Sequence, residues 1–202
     1  MISKISNFGT LDAKLIRAKK APWKWRLRNT FRWQYLKAWF AIHIAVPIAK
    51  KFGLMTVYGK LEARLIRADG AIINYGILGW RVVTSAFVNE MVDQLISETS
   101  TWGDFKYHDS GVGGTSENIT DTDIETTDGE ARVAGTQVED DPNDYQSVAT
   151  IDYTTSKAIV EHGLFNALTV GILMDRTVFT VINVDNGDSI QFTYTLTCTA
   201  GS

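Results

Sequence analysis

Six short runs of β-prone residues, at 105–108, 131–138, 145–153, 158–165, 172–184 and 189–199, follow one another along the chain with turn-forming residues between them. Strands this short cannot bury an apolar face singly, so they must pair into sheets that pack on something. Asn186-Gly187 separates the last two runs, and Asn-Gly between β-rich segments predicts a two-residue hairpin. Upstream, 71–83 reads as a further strand, joined to its predecessor at Asp69-Gly70. One helical stripe stands among these strands: Phe87, Val88, Met91, Val92, Leu95 and Ile96, preceded by Thr84 as an N-cap, predict a helix to about Glu98 that covers one face of a sheet. The pattern is that of a mainly β, α+β fold, an antiparallel β-sandwich or barrel-like body with one packed helix.

Charge divides the chain at Met55. Residues 1–55 carry twelve Lys and Arg against Asp12 alone, a net of +11, whereas 56–202 carry eight against twenty-two Asp and Glu, a net of −14. A basic arm (1–55) on an acidic body (56–202) is therefore expected, and such asymmetry points to a partner. Four of the six tryptophans lie in the arm: Trp23, Trp25, Trp33 and Trp39.

The arm repeats a piece of the body. Residues 8–21 and 58–71 share eight identities in fourteen aligned positions, and in both copies apolar residues alternate with polar ones (Leu11, Ala13, Leu15; Leu61, Ala63, Leu65). That period predicts a half-buried strand twice over. One copy would sit in the body's own sheet and the other could add to the sheet edge of a neighbouring molecule, or be a leftover of gene rearrangement. Met55, just before the second copy, could also start a shorter form of the protein.

After the first copy, apolar residues at 27, 31, 35, 38, 39, 42 and 46 predict a basic amphipathic helix, begun near Pro22 and ended or kinked by Pro47. Arg17, Lys24, Arg26, Arg28, Arg32, Trp33, Lys37 and Trp39 are the residues expected to meet a partner. Interleaved cations and aromatics suit nucleic acid, a membrane surface or an acidic protein surface. The same pattern also suits a helix that packs on its own body. The opposite charge of the body favours protein, and a homo-oligomer is expected.

Catalytic patterns are lacking, and the chain is not expected to be an enzyme. His43, His108 and His162 have no metal-ligand spacing, and His108-Asp109-Ser110 cannot form a triad in one strand because neighbouring side chains point to opposite faces. The acidic stretch 121–130 fails the EF-hand pattern, with Thr126 where glycine is needed and Arg132 where glutamate is needed; another kind of calcium loop or a solvated loop remains. No cofactor is implied. Cys198 is the only cysteine, so no internal disulfide can form. The longest apolar run, 38–49, is about 12 residues and broken by His43 and Pro47, against roughly 20 for a membrane helix. It lies too far from Met1 for a secretory signal, so a chain held in the cytoplasm until assembly is expected.

The runs Ala158-Ile-Val-Glu161-His162-Gly163-Leu164-Phe165, Leu173-Met-Asp175-Arg176-Thr-Val-Phe179 and Asn186-Gly187-Asp188-Ser-Ile190-Gln-Phe192 resemble small structural proteins of tailed bacteriophages. Leu65-Ile-Arg-Ala-Asp69-Gly70, Val83-Thr-Ser-Ala-Phe87-Val88 and Tyr107-His-Asp-Ser-Gly111 look like the same group. The Gly-Leu-Phe strand followed by Arg-x-x-Phe is similar also to collar-side domains of tail fibres. The resemblance implies a virion protein without catalytic residues, a capsid decoration or cement protein docked on the major capsid protein or another virion protein. A tail, collar or fibre-anchoring component is the alternative, as is an arm that contacts packaged DNA.

Overall fold

The strands assemble into two facing sheets in a computed structural model, which describes residues 18–81, 83–96 and 104–201. Sheet one contains β1 (Lys19–Lys20), β2 (Thr56–Ile66), β3 (Ile72–Arg81), β6 (Thr136–Asp141), β7 (Asp144–Asp152) and β10 (Ser189–Thr199), in the order β1-β3-β2-β10-β7-β6. Sheet two contains β4 (Tyr107–Gly111), β5 (Val133–Ala134), β8 (Lys157–Phe165) and β9 (Leu173–Val184), in the order β5-β4-β8-β9. Every pairing is antiparallel except that of β1 with β3. The fold is thus mainly β with few helices, as the sequence predicts.

Alternation decides which side chains face the core. On β2, Leu61, Ala63 and Leu65 are buried while Arg64 is exposed, and on β10 Ile190, Phe192, Tyr194 and Leu196 point the same way. They meet Ile159 and Leu164 of β8 and Met174, Phe179, Ile182 and Val184 of β9 in one continuous cluster. Sheet two is covered on its outer side as well, which is why β9 is buried at every position from Leu173 to Thr180. There Ile124, from the loop between β4 and β5, packs on Phe165 and Leu173. Gly163 makes this cover possible, since a Cβ at that position would lie 2.8 Å from Ile124 Cγ2.

Two strand expectations need correction. Asn186-Gly187 does not close a hairpin: β9 belongs to sheet two and β10 to sheet one, so the turn is a corner between sheets. Gly187 adopts a φ of 86° there. Asp188 accepts hydrogen bonds from Arg67, Ala68 N–H and Asp185 N–H, which ties the corner to the β2–β3 turn. The run 131–138 is likewise two strands, β5 and β6, in different sheets, crossing at Gly135. A Cβ on Gly135 would lie 2.5 Å from Ser147 Oγ, so the crossing depends on its absence.

The body helix, α4 (Ser85–Ile96), starts where expected, with Thr84 Oγ1 accepting the N–H of Phe87 at 3.2 Å. It covers the sheet with only part of its stripe. Phe87 packs edge-on to Phe105 at 5.1 Å, whereas Val88, Val92 and Leu95 are exposed.

The arm helix also departs from expectation. It forms α1 (Trp23–Thr30), breaks at Phe31 and Arg32, and resumes as α2 (Trp33–Phe40). A π-turn (Ala41–Ala45) then leads into α3 (Val46–Lys51), so the helix continues through Pro47. Val46 N–H bonds to Ala41 C=O, and Pro47 falls in the first turn of α3, directly after this π-turn. The break at Phe31 has a cause in the body. Trp25 Nε1 donates to Val181 C=O at 2.7 Å, Asn29 Nδ2 donates to Leu78 C=O at 2.9 Å, Asn29 Oδ1 accepts Thr180 N–H at 3.1 Å, and Arg32 Nη1 donates to Val178 C=O. Spaced at i, i+4 and i+7, these side chains cap the edge of β9 and join it to β3, the strand that borders it in sheet one. An exposed strand edge invites aberrant pairing, and α1 covers this one.

Asn29 is 2% exposed, and its amide serves both sheets. Asn29→Ala leaves Leu78 C=O and Thr180 N–H without these partners, so a loss of about 1–3 kcal/mol is expected in urea unfolding. A loss below about 0.5 kcal/mol would show that water replaces the amide freely.

The first strand copy lies outside the described residues up to residue 17. Its end is described: Lys19 and Lys20 pair in parallel with Ile73 and Asn74, and Ala21 is buried. The second copy is β2.

Candidate docking surface

Because Trp25, Asn29 and Arg32 turn inward, the opposite side of the arm is committed to solvent. Trp23, Leu27, Phe31 and Trp33 are exposed, at 66%, 46%, 70% and 69%. Phe40, Ile44 and Ile48 extend this surface at helical spacing along α2, the π-turn and α3. Phe52 follows them, also exposed. Residues 18–55 carry nine Lys and Arg and no acid, so the exposed apolar surface is set among cations. Scattered exposed apolar residues are ordinary; a run of aromatic and aliphatic side chains along one helical arm is the kind of patch that marks an interaction site.

Of the residues expected to meet a partner, Arg17 lies outside the described residues. Lys24, Arg26 and Arg28 are exposed on α1, and Lys24 Nζ sits 5.9 Å from the Trp23 ring centroid. Trp33 and Lys37 stand together on α2, Nζ 5.6 Å from the ring centroid. Arg32 is turned away from this group by its bond to Val178 C=O. Trp39 stacks on His43 at 4.5 Å, and His43 meets Trp80 edge-on at 5.4 Å, so Trp39 partly serves to seat α2 on β3.

A second surface was not foreseen. At the far edge of sheet one, the β6–β7 hairpin shapes an open cleft of about 580 Å³. Val138, Pro142, Tyr145 and Leu196 supply its apolar lining, and Glu139, Asp141 and Asp144 its carboxylates. The signal was available in Glu139-Asp-Asp141-Pro-Asn-Asp144, an acidic cluster around a turn residue.

The body's other acids are mostly engaged. Glu161 is fully buried; Oε1 accepts the N–H groups of Gly113 and Thr126 and Oε2 that of Glu125, each at 2.9 Å. Arg176 Nε donates to Glu161 Oε2 at 2.8 Å, and its Nη1 reaches Asp121 at 3.0 Å. Arg132 lies 3.4 Å over the Phe165 ring and pairs with Asp109 at 3.0 Å. Glu130 takes Lys157 at 2.5 Å, while Asp128 accepts from Ser110. The stretch 121–130 is therefore a loop pinned to sheet two by cations, and among the described residues no group of three or more His, Cys, Asp or Glu could hold a metal ion.

His108 and Asp109 do point to opposite faces. Inside the sandwich, His108 Nδ1 lies 2.9 Å from His162 Nε2 and its Nε2 lies 2.8 Å from Ser147 Oγ. Burial holds His108 down to about 3, and burial together with the neighbouring His108 holds His162 well below the usual imidazole range. A serine beside a neutral imidazole has the geometry of a nucleophile and base. Here Ser147, His108 and His162 are all fully buried. The trio is packed as an internal hydrogen-bonded chain. Among the described residues, no helix is long and apolar enough to cross a membrane.

No protein-family model matches the chain, and no curated protein matches it.

Proposed function

We propose that the chain is a non-enzymatic structural protein of a tailed-bacteriophage virion, a capsid decoration or cement protein that docks through the outer face of its arm. One observation carries the docking part of this reading: the arm is fastened to the body by Trp25, Asn29 and Arg32, yet Trp23, Leu27, Phe31, Trp33, Phe40, Ile44 and Ile48 are left in solvent along an arm that also exposes Lys24, Arg26 and Arg28. Burying one such side chain contributes about 1.5–3 kcal/mol, so several together suffice for a stable contact. Repetition over a symmetric shell would add avidity, and no single contact need be tight. The virion assignment is supported by the Gly163-Leu164-Phe165 and Arg176-x-x-Phe179 strands, whose resemblance is to phage structural proteins.

The test is incorporation. Replacing Lys24, Arg26 and Arg28 by Glu reverses three cations on α1, and quantitative mass spectrometry of purified virions should find the variant depleted roughly tenfold relative to wild type. Unchanged incorporation would overturn the docking reading. Copy number in the same particles separates a decoration protein, present many times, from a tail, collar or fibre-anchoring component, present in a handful. Retention of the chain on duplex DNA, lost steeply with added salt, would instead favour the arm as a nucleic-acid contact.

A further inference from the structure

The arm's cations and the body's free carboxylates lie on opposite sides of one molecule. Lys24, Arg26 and Arg28 on α1 make no ion pair among the described residues, and neither do Glu139, Asp141 and Asp144 around the β6–β7 hairpin. The acids of 121–130, by contrast, are largely engaged by Arg132, Lys157 and Arg176. The hairpin is thus where the acidic body retains a cluster of carboxylates available to an outside cation.

These two groups cannot meet within one chain. Helix α1 lies against β3 and β9, whereas the cleft lies beyond β6, and the order β3-β2-β10-β7-β6 puts four strand spacings, roughly 19 Å, between the two edges. The surfaces match in kind as well as in charge. Trp23 and Leu27 stand exposed beside the cations, and Val138, Pro142, Tyr145 and Leu196 offer apolar lining between the carboxylates. Since β6 is the outermost strand of its sheet, this edge also has backbone groups that no described strand takes up.

We infer that α1 of one copy seats in the β6–β7 cleft of a second copy, so that the chain associates head to tail. This rests on the reading of the arm as a docking element and names the partner surface. A contact between two different patches is heterologous; repeated, it closes into a ring or runs on as a filament according to the rotation between subunits.

Two charge-reversed full-length variants test it by sedimentation velocity, with thermal melting as the check on folding. One carries Lys24→Glu, Arg26→Glu and Arg28→Glu; the other carries Glu139→Lys, Asp141→Lys and Asp144→Lys. Wild type should associate with a salt-sensitive affinity, and each variant alone should associate roughly tenfold more weakly or remain monomeric. An equimolar mixture should recover association, because the acidic arm of one variant then meets the basic cleft of the other. Failure of the mixture to associate, or a wild type that stays monomeric at every concentration and salt, overturns the head-to-tail contact. Should the arm variant also be lost from virions while the cleft variant is retained, docking through the arm stands and only its assignment to a second copy falls. If both variants enter virions like wild type, the docking reading falls too.

Discussion

Glu161→Ala should destabilise the protein by about 3–5 kcal/mol, the range expected when one partner of a buried ion pair is removed. The carboxylate is fully buried and accepts three backbone N–H bonds besides the Arg176 guanidinium. Truncation removes the fully buried acceptor of those donors, and it leaves Arg176, 5% exposed, with the more exposed Asp121 and Glu125 as its remaining carboxylate partners. The effect should be spatially uneven. Gly113, Glu125 and Thr126 belong to the loop that closes over sheet two, so cleavage within 112–130 by limited proteolysis should accelerate before the sandwich itself unfolds. Glu161→Gln keeps the shape but offers an NH₂ group where donors converge, and it should recover only part of the loss. A change in urea unfolding below about 1 kcal/mol for Glu161→Ala would mean that the loop is held by its apolar contacts, Ile124 on Phe165 and Leu173, and not by the carboxylate.

That hub shows where sequence reading works and where it stops. Glu161, Gly163 and Arg176 stand in runs whose strand character is read from the sequence, but the packing of Ile124 against Gly163 is not. Alternation in β2 and β10 also identifies Leu61, Ala63, Leu65, Ile190 and Phe192 as inward, because a period of two is a local property. Sheet membership is not local. Asn186-Gly187 specifies a reversal of the chain, but whether the returning strand pairs with β9 or crosses to β2 and β7 depends on partners far along the sequence. The broken arm helix has the same origin: the groups that hold Trp25 and Arg32 lie 156 and 146 residues away, and periodicity carries no trace of them. Charge asymmetry pointed to an arm that meets acid, yet it could not separate carboxylates already claimed by Arg132, Lys157 and Arg176 from those left free at the β6–β7 turn.

Acid should unfold the protein through its core before most surface groups matter. His108 and His162 are neutral in the folded state, held there by burial, whereas in the unfolded chain each titrates near 6.5. Above that value neither state binds the protons, so these two residues place no pH dependence on stability. Below it the unfolded chain takes up two protons that the folded chain refuses, and each costs about 1.4 kcal/mol of stability per pH unit. The slope should therefore approach about 2.7 kcal/mol per unit between roughly pH 5.5 and 4.5, and His108 should continue to contribute until the pH nears 3, where its folded form protonates. Two pH units of that slope are about 5 kcal/mol, comparable with the whole stability of a small domain. Asp109 and Asp128 act with the opposite sign, since burial raises both carboxyls and protonation then favours the folded state. Urea unfolding at a series of pH values reads the slope directly, and ring-proton NMR reads the folded titration. A slope under one proton throughout the window, or imidazole signals of His108 and His162 that titrate near 6.5 in the folded protein, would show that water or a rearranged core reaches the pair.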